Sequence, residues 1–355
     1  MKTTSWLIGM SIGAATPMMA VAQSITLYGL VDTGVEYVNN VGATKSGLVR
    51  MPNLTGTVPS RWGMRGKEDL GGGVSALFNL QAGFNPSNGR MSSNGTLFSR
   101  NSYVGLTSAS GTLTAGKQWN FNDDWLVGSV FKGGYNSGSI FKFSEFDAVS
   151  ELYNNTVKYV SPTLGGAQFG AMYGFGETAG SLSQGSLFNL AARYSGGPVY
   201  LAASYDQERD GSGTGSLYKL FTVGGSYTFG AAKLRLGAAR ADVGGTGAFQ
   251  SIPSMSARKA YAVEGGVDYA FTTAFTGSAD VLYRRNSTLS NSSMVYRLLG
   301  LYSLSKRTTL VANVAYLKNS SSATEALVNT TSGAIGGGVA GTSQTSVALG
   351  VRHTF

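Results

Sequence analysis

The sequence predicts an all-β protein, a transmembrane antiparallel β-barrel of sixteen strands. Three observations support this prediction: the composition, a two-residue hydrophobic period, and connections that alternate between short and long. Of 355 residues, 51 are glycine and 7 are proline, and only 13 % are charged. An ordinary soluble domain has about 25 % charged residues and about 7 % glycine. The 17 phenylalanines and 18 tyrosines exclude a disordered chain, which would have few aromatic residues.

The predicted strands each have one apolar and one polar face. Between positions 261 and 271, the tyrosines, the valines and Phe271 share one face, whereas Glu264 and Asp268 share the other. The segments 74–85 and 275–284 alternate in the same way. Successive side chains of a strand point to opposite faces, so each segment can contact lipid on one side and water on the other.

Aromatic residues lie near the ends of the apolar faces. Tyr28 is early in the first strand, Tyr261 and Phe271 bracket another strand, and Phe355 is the last residue. This placement is typical of the two interfacial girdles of a membrane barrel. The chain after residue 22 has no run of about 18 apolar residues, so we expect no transmembrane helix.

Short turns alternate with long polar loops, which is typical of an outer-membrane barrel. Closure into a barrel leaves no unpaired backbone groups in hydrocarbon, and sixteen strands enclose an aqueous lumen. The predicted strands are 24–38, 59–69, 73–85, 98–107, 111–118, 153–161, 166–175, 185–195, 198–207, 216–229, 232–242, 258–271, 274–286, 293–304, 307–319 and 342–355.

The first 22 residues have the features of a secretory signal peptide. Lys2 supplies a positive start, 6–15 is a short apolar stretch, and 20–22 reads Ala-Val-Ala, a cleavage site. The apolar stretch is shorter than the ~20 residues that a membrane-spanning helix needs. We therefore expect a signal peptide at 1–22 and one barrel domain at 23–355.

The composition excludes several kinds of chemistry. There is no cysteine, and His353 is the only histidine, so we expect no cofactor, no metal site and no Ser-His-Asp catalysis. Gly-rich runs such as 71–73 do not lie between a strand and a helix, which argues against a phosphate-binding loop. The net charge is +9, but the basic residues are scattered over the strands, so we do not expect nucleic-acid binding.

Several segments together resemble the general porins of Gram-negative bacteria, in their β-proteobacterial branch. These segments are SITLYGLVD at 24–32, SRWGMRGKEDLGGG at 60–73, NNTVKYVSP at 154–162 and LGVRHTF at 349–355. The resemblance covers the whole chain after residue 22. It implies an outer-membrane homotrimer surrounded by lipid. It also implies that the third long loop, 119–152, folds into the lumen as a constriction, and that the assembly machinery recognises a C-terminal signature ending in Phe355.

Alternation and resemblance together give candidate pore residues. Trp62 and Met64 are expected outward, so Arg61 points into the lumen, and the resemblance places Arg61 and Arg100 at the constriction. Related porins often have a further arginine before the Asn-Asn pair, where this chain has Leu152-Tyr153. Lys158 lies inward nearby and compensates in part. The acidic candidates on the loop are Asp123, Asp124, Glu145 and Asp147.

Other inward basic residues are expected to be ordinary solvated lumen charges. They are Lys233, Arg235, Arg284 and Arg297.

The sequence therefore predicts a non-enzymatic, general diffusion channel for small hydrophilic solutes and ions. A basic wall facing an acidic loop would create a transverse field that biases ion selectivity. Because this chain lacks the further arginine that related porins have before the Asn-Asn pair, the channel is expected to be weakly anion-selective or nearly neutral. The alternatives are a substrate-selective channel, an outer-membrane hydrolase and an adhesin.

Overall fold

The computed structural model describes residues 24–52, 58–132, 140, 143, 145–146, 152–245, 247–251, 256–327 and 338–355. The predicted signal peptide, 1–22, lies outside these residues. The described chain forms one antiparallel sheet that closes on itself. Within the described ranges, no helix is long and apolar enough to cross a membrane.

Seventeen strands make up the sheet, and sixteen of them form the barrel wall. The strands are β1 (Ser24–Val41), β2 (Ser46–Arg50), β3 (Arg61–Gly71), β4 (Val74–Gly83), β5 (Ser102–Ser108), β6 (Gly111–Trp119), β7 (Leu152–Val160), β8 (Ala167–Gly174), β9 (Leu187–Gly196), β10 (Val199–Arg209), β11 (Leu217–Phe229), β12 (Ala232–Val243), β13 (Arg258–Ala270), β14 (Phe275–Asn286), β15 (Asn291–Ser303), β16 (Thr308–Asn319) and β17 (Gln344–Thr354).

The barrel closes where β1 meets β17. Leu30 pairs with Thr354 and Val38 with Ser346, while the other edge of β1 pairs with β3 from Ser24 to Leu30. Phe355 completes this seam, because its N–H and C=O exchange hydrogen bonds of 3.0 and 3.1 Å with Gly29. The predicted sixteen-stranded closed barrel is therefore confirmed.

β2 lies between the predicted strands 24–38 and 59–69, where the sequence did not predict a strand. β1 continues to Val41, beyond the end of its pairing with β3, and would expose an unpaired edge there. β2 pairs with this edge, with Glu36 opposite Arg50. Gly42 and Lys45, both with positive φ, form the turn that reverses the chain. An exposed strand edge is thereby covered.

The outward face is apolar with aromatic residues near both rims. Tyr261 and Phe271 are exposed and lie ten residues apart on and just after β13. At about 3.3 Å per residue and a tilt of about 40°, they are separated by about 25 Å along the barrel axis, the height of the apolar band of such barrels. We call the end carrying the long connections the loop rim, and the opposite end the short-turn rim.

The expectation that Tyr28 belongs to the outer girdle is wrong. Its hydroxyl donates to Asn79 Oδ1 (2.6 Å) and accepts from Gln81 Nε2 (2.9 Å), both inside the barrel. The Arg65 guanidinium lies 4.9 Å from the centre of its ring. Tyr28 therefore lines the lumen, where its hydroxyl can find partners that lipid would not provide.

Candidate functional site

The lumen contains the start of the connection between β6 and β7, which we call the pore loop. A short π-helix, Asn122–Leu126, begins it. The apolar side chains of the pore loop are almost completely buried against inward-facing residues of β8 to β16. These buried side chains are Phe121, Trp125, Leu126, Val130, Phe131, Ile140, Phe143 and Phe146. The loop thus forms an apolar core inside the barrel.

Glycines on the barrel wall make room for this core. A Cβ at Gly170 would collide with the Phe121 ring. A Cβ at Gly237 would lie 2.5 Å from Phe131 Cε1. Gly224 is the cross-strand neighbour of Gly237, and its Cβ would lie 2.5 Å from Val130 Cγ1. At these positions β11 and β12 therefore present backbone without side chains, which lets the pore loop pack directly against the wall.

Polar side chains on the wall bind the backbone of the loop. The Phe121 N–H donates to Asn189 Oδ1 at 2.7 Å. The two carboxylate oxygens of Glu264 accept from the N–H groups of Lys132 (3.0 Å) and Ile140 (3.2 Å). Asn122 hydrogen-bonds to both Asp206 and Thr222. Because buried backbone N–H groups need partners, these contacts fix the path of the loop.

An ion-pair network lies beneath the loop on β12 to β15. Asp280 binds both Arg235 and Arg297, the latter at 2.6 Å. Asp268 binds Arg235 at 3.1 Å and Lys132 of the pore loop at 3.2 Å. With Glu264, the network has three acidic and three basic groups, and Lys233, opposite Asp268 on β12, lies beside it.

Among the predicted acidic residues that the structure describes, Glu145 is buried most deeply, with 0 % of its side chain exposed. It forms an ion pair with Arg284 and lies 3.7 Å from Arg258 Nη1. Asn286 Nδ2 donates to it at 2.9 Å. The Tyr218 hydroxyl donates to the Glu145 carbonyl at 2.9 Å. Glu145 therefore joins the loop to β13, β14 and β11.

The predicted basic residues Arg61 and Arg100 lie on the other side of the lumen, on either side of β4. Arg61 pairs with Gly83, and the Arg100 N–H donates to the Gln81 carbonyl at 3.1 Å. Two strand spacings separate their backbones, which is about 10 Å. Arg100 is held by Gln81 Oε1 at 2.7 Å, and its guanidinium lies 4.9 Å from the centre of the Trp119 ring.

Lys158 and Asp124, both predicted pore residues, bind each other directly. The Lys158 ammonium also donates to the Trp119 carbonyl at 2.7 Å and lies over the Phe121 ring. The Lys158 side chain is 6 % exposed, whereas that of Asp124 is 41 % exposed. Lys158 thus supports the start of the loop, and the exposed part of the Asp124 side chain faces the lumen.

The remaining acidic candidates are Asp123 and Asp147. Asp123 is half-buried, and its N–H donates to Asn120 Oδ1 at 3.0 Å in the first turn of the π-helix. Asp147 lies outside the described residues.

Sequence reasoning missed the anchoring role of the wall. Arg235, Arg284 and Arg297 were expected to be solvated lumen charges, but each is buried and ion-paired. One feature of the sequence could have indicated these ion pairs: inward acidic and basic residues lie on neighbouring strands, as Asp280 on β14 and Arg297 on β15 do. Their pairing with the loop joins residues more than 100 positions apart, which local periodicity cannot reveal.

At the loop rim, Asp210 holds two connections together. Its carboxylate accepts from Ser212 Oγ (2.7 Å), the Thr214 N–H (2.8 Å) and the Ala248 N–H (2.7 Å). Burial opposes its ionisation, but these hydrogen bonds outweigh burial and lower the pKa of Asp210 well below its ordinary value. The carboxylate therefore stays charged at neutral pH.

Comparisons with known proteins agree with this geometry. The family profile described as Gram-negative porin matches residues 9–322. Outer membrane porin protein 32 of Delftia acidovorans is 32 % identical, over 98 % of this chain and 99 % of that protein. An outer membrane porin protein of Bordetella pertussis is 30 % identical, over 94 % of each chain.

A solved structure shares both fold and sequence. It is the anion-selective porin from Comamonas acidovorans, which superposes with a TM-score of 0.81 at 28 % identity. The match covers 94 % of this chain and all of that chain.

Proposed function

The chain belongs to the Gram-negative porin family, and we propose that Arg61 and Arg100 set the ion selectivity of its channel. It is an outer-membrane porin, not an enzyme, and serves as a general diffusion channel for small hydrophilic solutes and ions. The single observation that carries the selectivity proposal is the asymmetry of the lumen: Arg61 and Arg100 lie on either side of β4, whereas the buried arginines of β12 to β15 are each ion-paired with a carboxylate.

Coulomb's law gives the sign of the selectivity. Two unit charges 4 Å apart interact by about 4 kcal/mol at an effective dielectric of about 20. Salt in the channel weakens this, since the Debye length is about 10 Å at 0.1 M. The Comamonas relative is described as anion-selective, which supports the same sign here. Leu152 and Tyr153 replace the further arginine of related porins, so we expect a weak anion preference or near neutrality.

The acidic residues have separate proposed roles. Asp123 contributes the negative side of the field, and Asp124, whose side chain is 41 % exposed, contributes less because it is paired with Lys158. Lys158 supports the loop more than it contacts ions, because Asp124 neutralises it. Glu145 anchors the loop, since it is fully buried. Asp147 remains a candidate for the acidic side on sequence grounds.

Replacing Arg61 and Arg100 together tests the selectivity proposal. The variant Arg61→Ser/Arg100→Ser should shift the reversal potential toward cations in a planar-bilayer recording across a tenfold salt gradient. Since about 1.4 kcal/mol changes a flux tenfold, a several-fold change in the permeability ratio is expected, larger at low salt. Lys306→Ser/Arg307→Ser removes the same charge from the short-turn rim and is the control. A reversal potential unchanged in the lumen variant would refute the proposal.

Targeting and assembly complete the proposal. Residues 1–22 are removed as a signal peptide, which N-terminal sequencing of the purified protein would test by finding Gln23 first. The assembly machinery recognises the C-terminal strand ending in Phe355. Three copies associate in the outer membrane, in keeping with the trimer form of a structural relative from Vibrio cholerae.

A further inference from the structure

Two arginines lie over aromatic rings on different sides of the lumen. The Arg65 guanidinium, on β3, lies 4.9 Å from the centre of the Tyr28 ring. The Arg193 guanidinium, on β9, lies 5.0 Å from the centre of the Trp125 ring, which belongs to the π-helix of the pore loop. β3 and β9 are not neighbours, since five other strands of the wall lie between them. Arg65 is exposed and Arg193 is half-buried, so solutes in the lumen can reach both.

Neither arginine is neutralised by a carboxylate. Among the described residues, no Asp or Glu forms an ion pair with Arg65 or Arg193. Arg193 Nε instead donates to the neutral amide oxygen of Gln168 at 2.9 Å. Two further arginines of the described ranges, Arg100 and Arg284, also lie over aromatic rings, but both are buried. Arg65 and Arg193 therefore combine an unpaired charge with a guanidinium face that solutes can contact.

The rings beneath these two guanidinium groups are held in place by hydrogen bonds. The Tyr28 hydroxyl donates to Asn79 Oδ1 at 2.6 Å. The Trp125 side chain is buried, and the Trp125 carbonyl accepts from the Tyr200 hydroxyl. A fixed ring restricts the guanidinium above it, so less conformational freedom is lost when a solute binds there.

Both arginines border the acidic side of the pore loop. Arg65 and Asp124 both act electrostatically on the Tyr103 hydroxyl. Arg193 and Asp124 both act electrostatically on the Tyr200 hydroxyl. A solute that passes Asp124 therefore comes within the electrostatic reach of both guanidinium groups.

We propose that Arg65 and Arg193 form a binding site for flat aromatic carboxylates in the lumen. The ring of such a solute would stack on the open face of one guanidinium, because guanidinium groups stack on aromatic faces. Its carboxylate would be attracted by both unpaired charges. An inorganic or aliphatic anion would gain the electrostatic attraction alone. Arg65 is four residues from Arg61, or about 13 Å along β3, so this site is separate from the residues proposed above to set ion selectivity.

Benzoate and cyclohexanecarboxylate are the probes, because they have the same charge and similar size but only benzoate is flat. Each is added to the purified channel in a planar bilayer, and the concentration that halves the single-channel current is measured. In the wild type, benzoate should act at an about two- to fivefold lower concentration, as expected for an aromatic ring stacked on an exposed cation.

Replacing both arginines by lysine separates the flat guanidinium from its charge. Arg65→Lys/Arg193→Lys keeps both charges, and the two probes should then act at equal concentrations. Arg240→Lys/Arg285→Lys makes the same chemical change at two exposed outward positions and should keep the preference of the wild type. The shift of the folded barrel on unheated gels confirms folding. Where the double variant does not fold, Arg65→Lys alone should reduce the preference for benzoate.

This experiment can fail independently of the selectivity proposal. Arg61→Ser/Arg100→Ser should shift the reversal potential and still keep the preference for benzoate. A preference that is lost in this variant would place the aromatic site at the constriction and overturn the proposal. Equal half-blocking concentrations of the two probes in the wild type, or an unreduced preference in Arg65→Lys/Arg193→Lys, would also overturn it.

Discussion

Individual charges in this lumen differ in what they can do. Arg235 and Arg297 are buried and share Asp280, so their charge is neutralised before it can act on a passing ion. Arg100 is also buried, but its side chain is held by the neutral Gln81 amide rather than by a carboxylate. Pairing with a carboxylate, rather than the number of inward arginines, therefore decides which of these residues can influence selectivity.

Replacing Glu145 tests the anchoring of the pore loop at a single residue. Glu145→Gln removes the charge facing Arg284, which retains Glu325 at 3.2 Å and Asn291 at 2.7 Å. Breaking a buried ion pair costs about 3–5 kcal/mol, and the remaining partners of Arg284 place the expected cost at the lower end. We expect unfolding at lower urea concentration and noisier open-channel current.

The control for this experiment is Glu177→Gln, which removes a carboxylate from a different connection. Its unfolding midpoint and current noise should match those of the wild type. If Glu145→Gln also matches the wild type in both measurements, Glu145 does not anchor the loop.

The sequence predicted residue orientation well and residue partners poorly. Alternation correctly assigned Arg284 and Asp280 to the lumen and Val281 to the outside. It could not assign Glu264 to the Lys132 and Ile140 N–H groups, because those contacts bridge more than 120 positions. Tyr28 was misassigned since an aromatic residue near a strand end suits either a girdle or a polar lumen.

Among the elements, β17 has the particular task of closing the barrel. The Phe355 ring covers Gly29, where a Cβ would lie 2.5 Å from its Cζ, and its backbone exchanges two hydrogen bonds with Gly29. Deleting Phe355 would leave both Gly29 groups unpaired at the membrane edge. We expect a lower yield of folded protein in the outer membrane while synthesis and export continue.

Quantitative immunoblots of membrane and periplasmic fractions would measure this effect. Phe355→Tyr keeps the backbone and the ring and is expected to assemble normally. Wild-type amounts of folded barrel after deletion of Phe355 would contradict the role of this residue in closure.

The pore loop is an element whose position depends on the flat wall beneath it. Gly237→Ala puts a methyl group against Phe131, and overpacking of this kind costs about 1–3 kcal/mol. The loop should move away from the wall toward the centre of the lumen. This narrows the pore and should lower the single-channel conductance. Adding Phe131→Ala should restore part of the conductance by removing the collision.

An outward glycine provides the matched control for Gly237. At Gly300 a Cβ would make only ordinary contact, 3.4 Å from Phe275. Gly300→Ala should conduct as the wild type does. An unchanged conductance in Gly237→Ala would show that the wall does not determine the position of the loop.

At the scale of the whole molecule, the two sides of the barrel present different outer surfaces. The outward side of β11 to β14 carries four exposed basic residues: Lys219, Arg240, Lys259 and Arg285. On β1 and β3 to β6, the charged outward residues among those described are Glu68, near the short-turn rim, and Lys117, near the loop rim; the outward positions in between are uncharged. On the uncharged side, the Phe78 ring covers Gly66, and Ala76 and Ala115 add little bulk. Small residues let two membrane surfaces approach closely. Ala82 is another small residue at an outward position, but it is only 2 % exposed within one chain and cannot contribute to the contact.

The uncharged side is therefore expected to be the contact face of a homotrimer. Light scattering in mild detergent should give three times the mass of the chain after removal of residues 1–22. Because the chain has no cysteine, single substitutions can carry a fluorescent label without background. A label at Val104→Cys, on the uncharged side, should be shielded from brominated lipid, whereas one at Leu236→Cys, on the far side, should be quenched. Both positions are at least 60 % exposed in one chain, so a monomer would show equal quenching at both. Equal quenching, or the mass of one chain, would rule out the trimer.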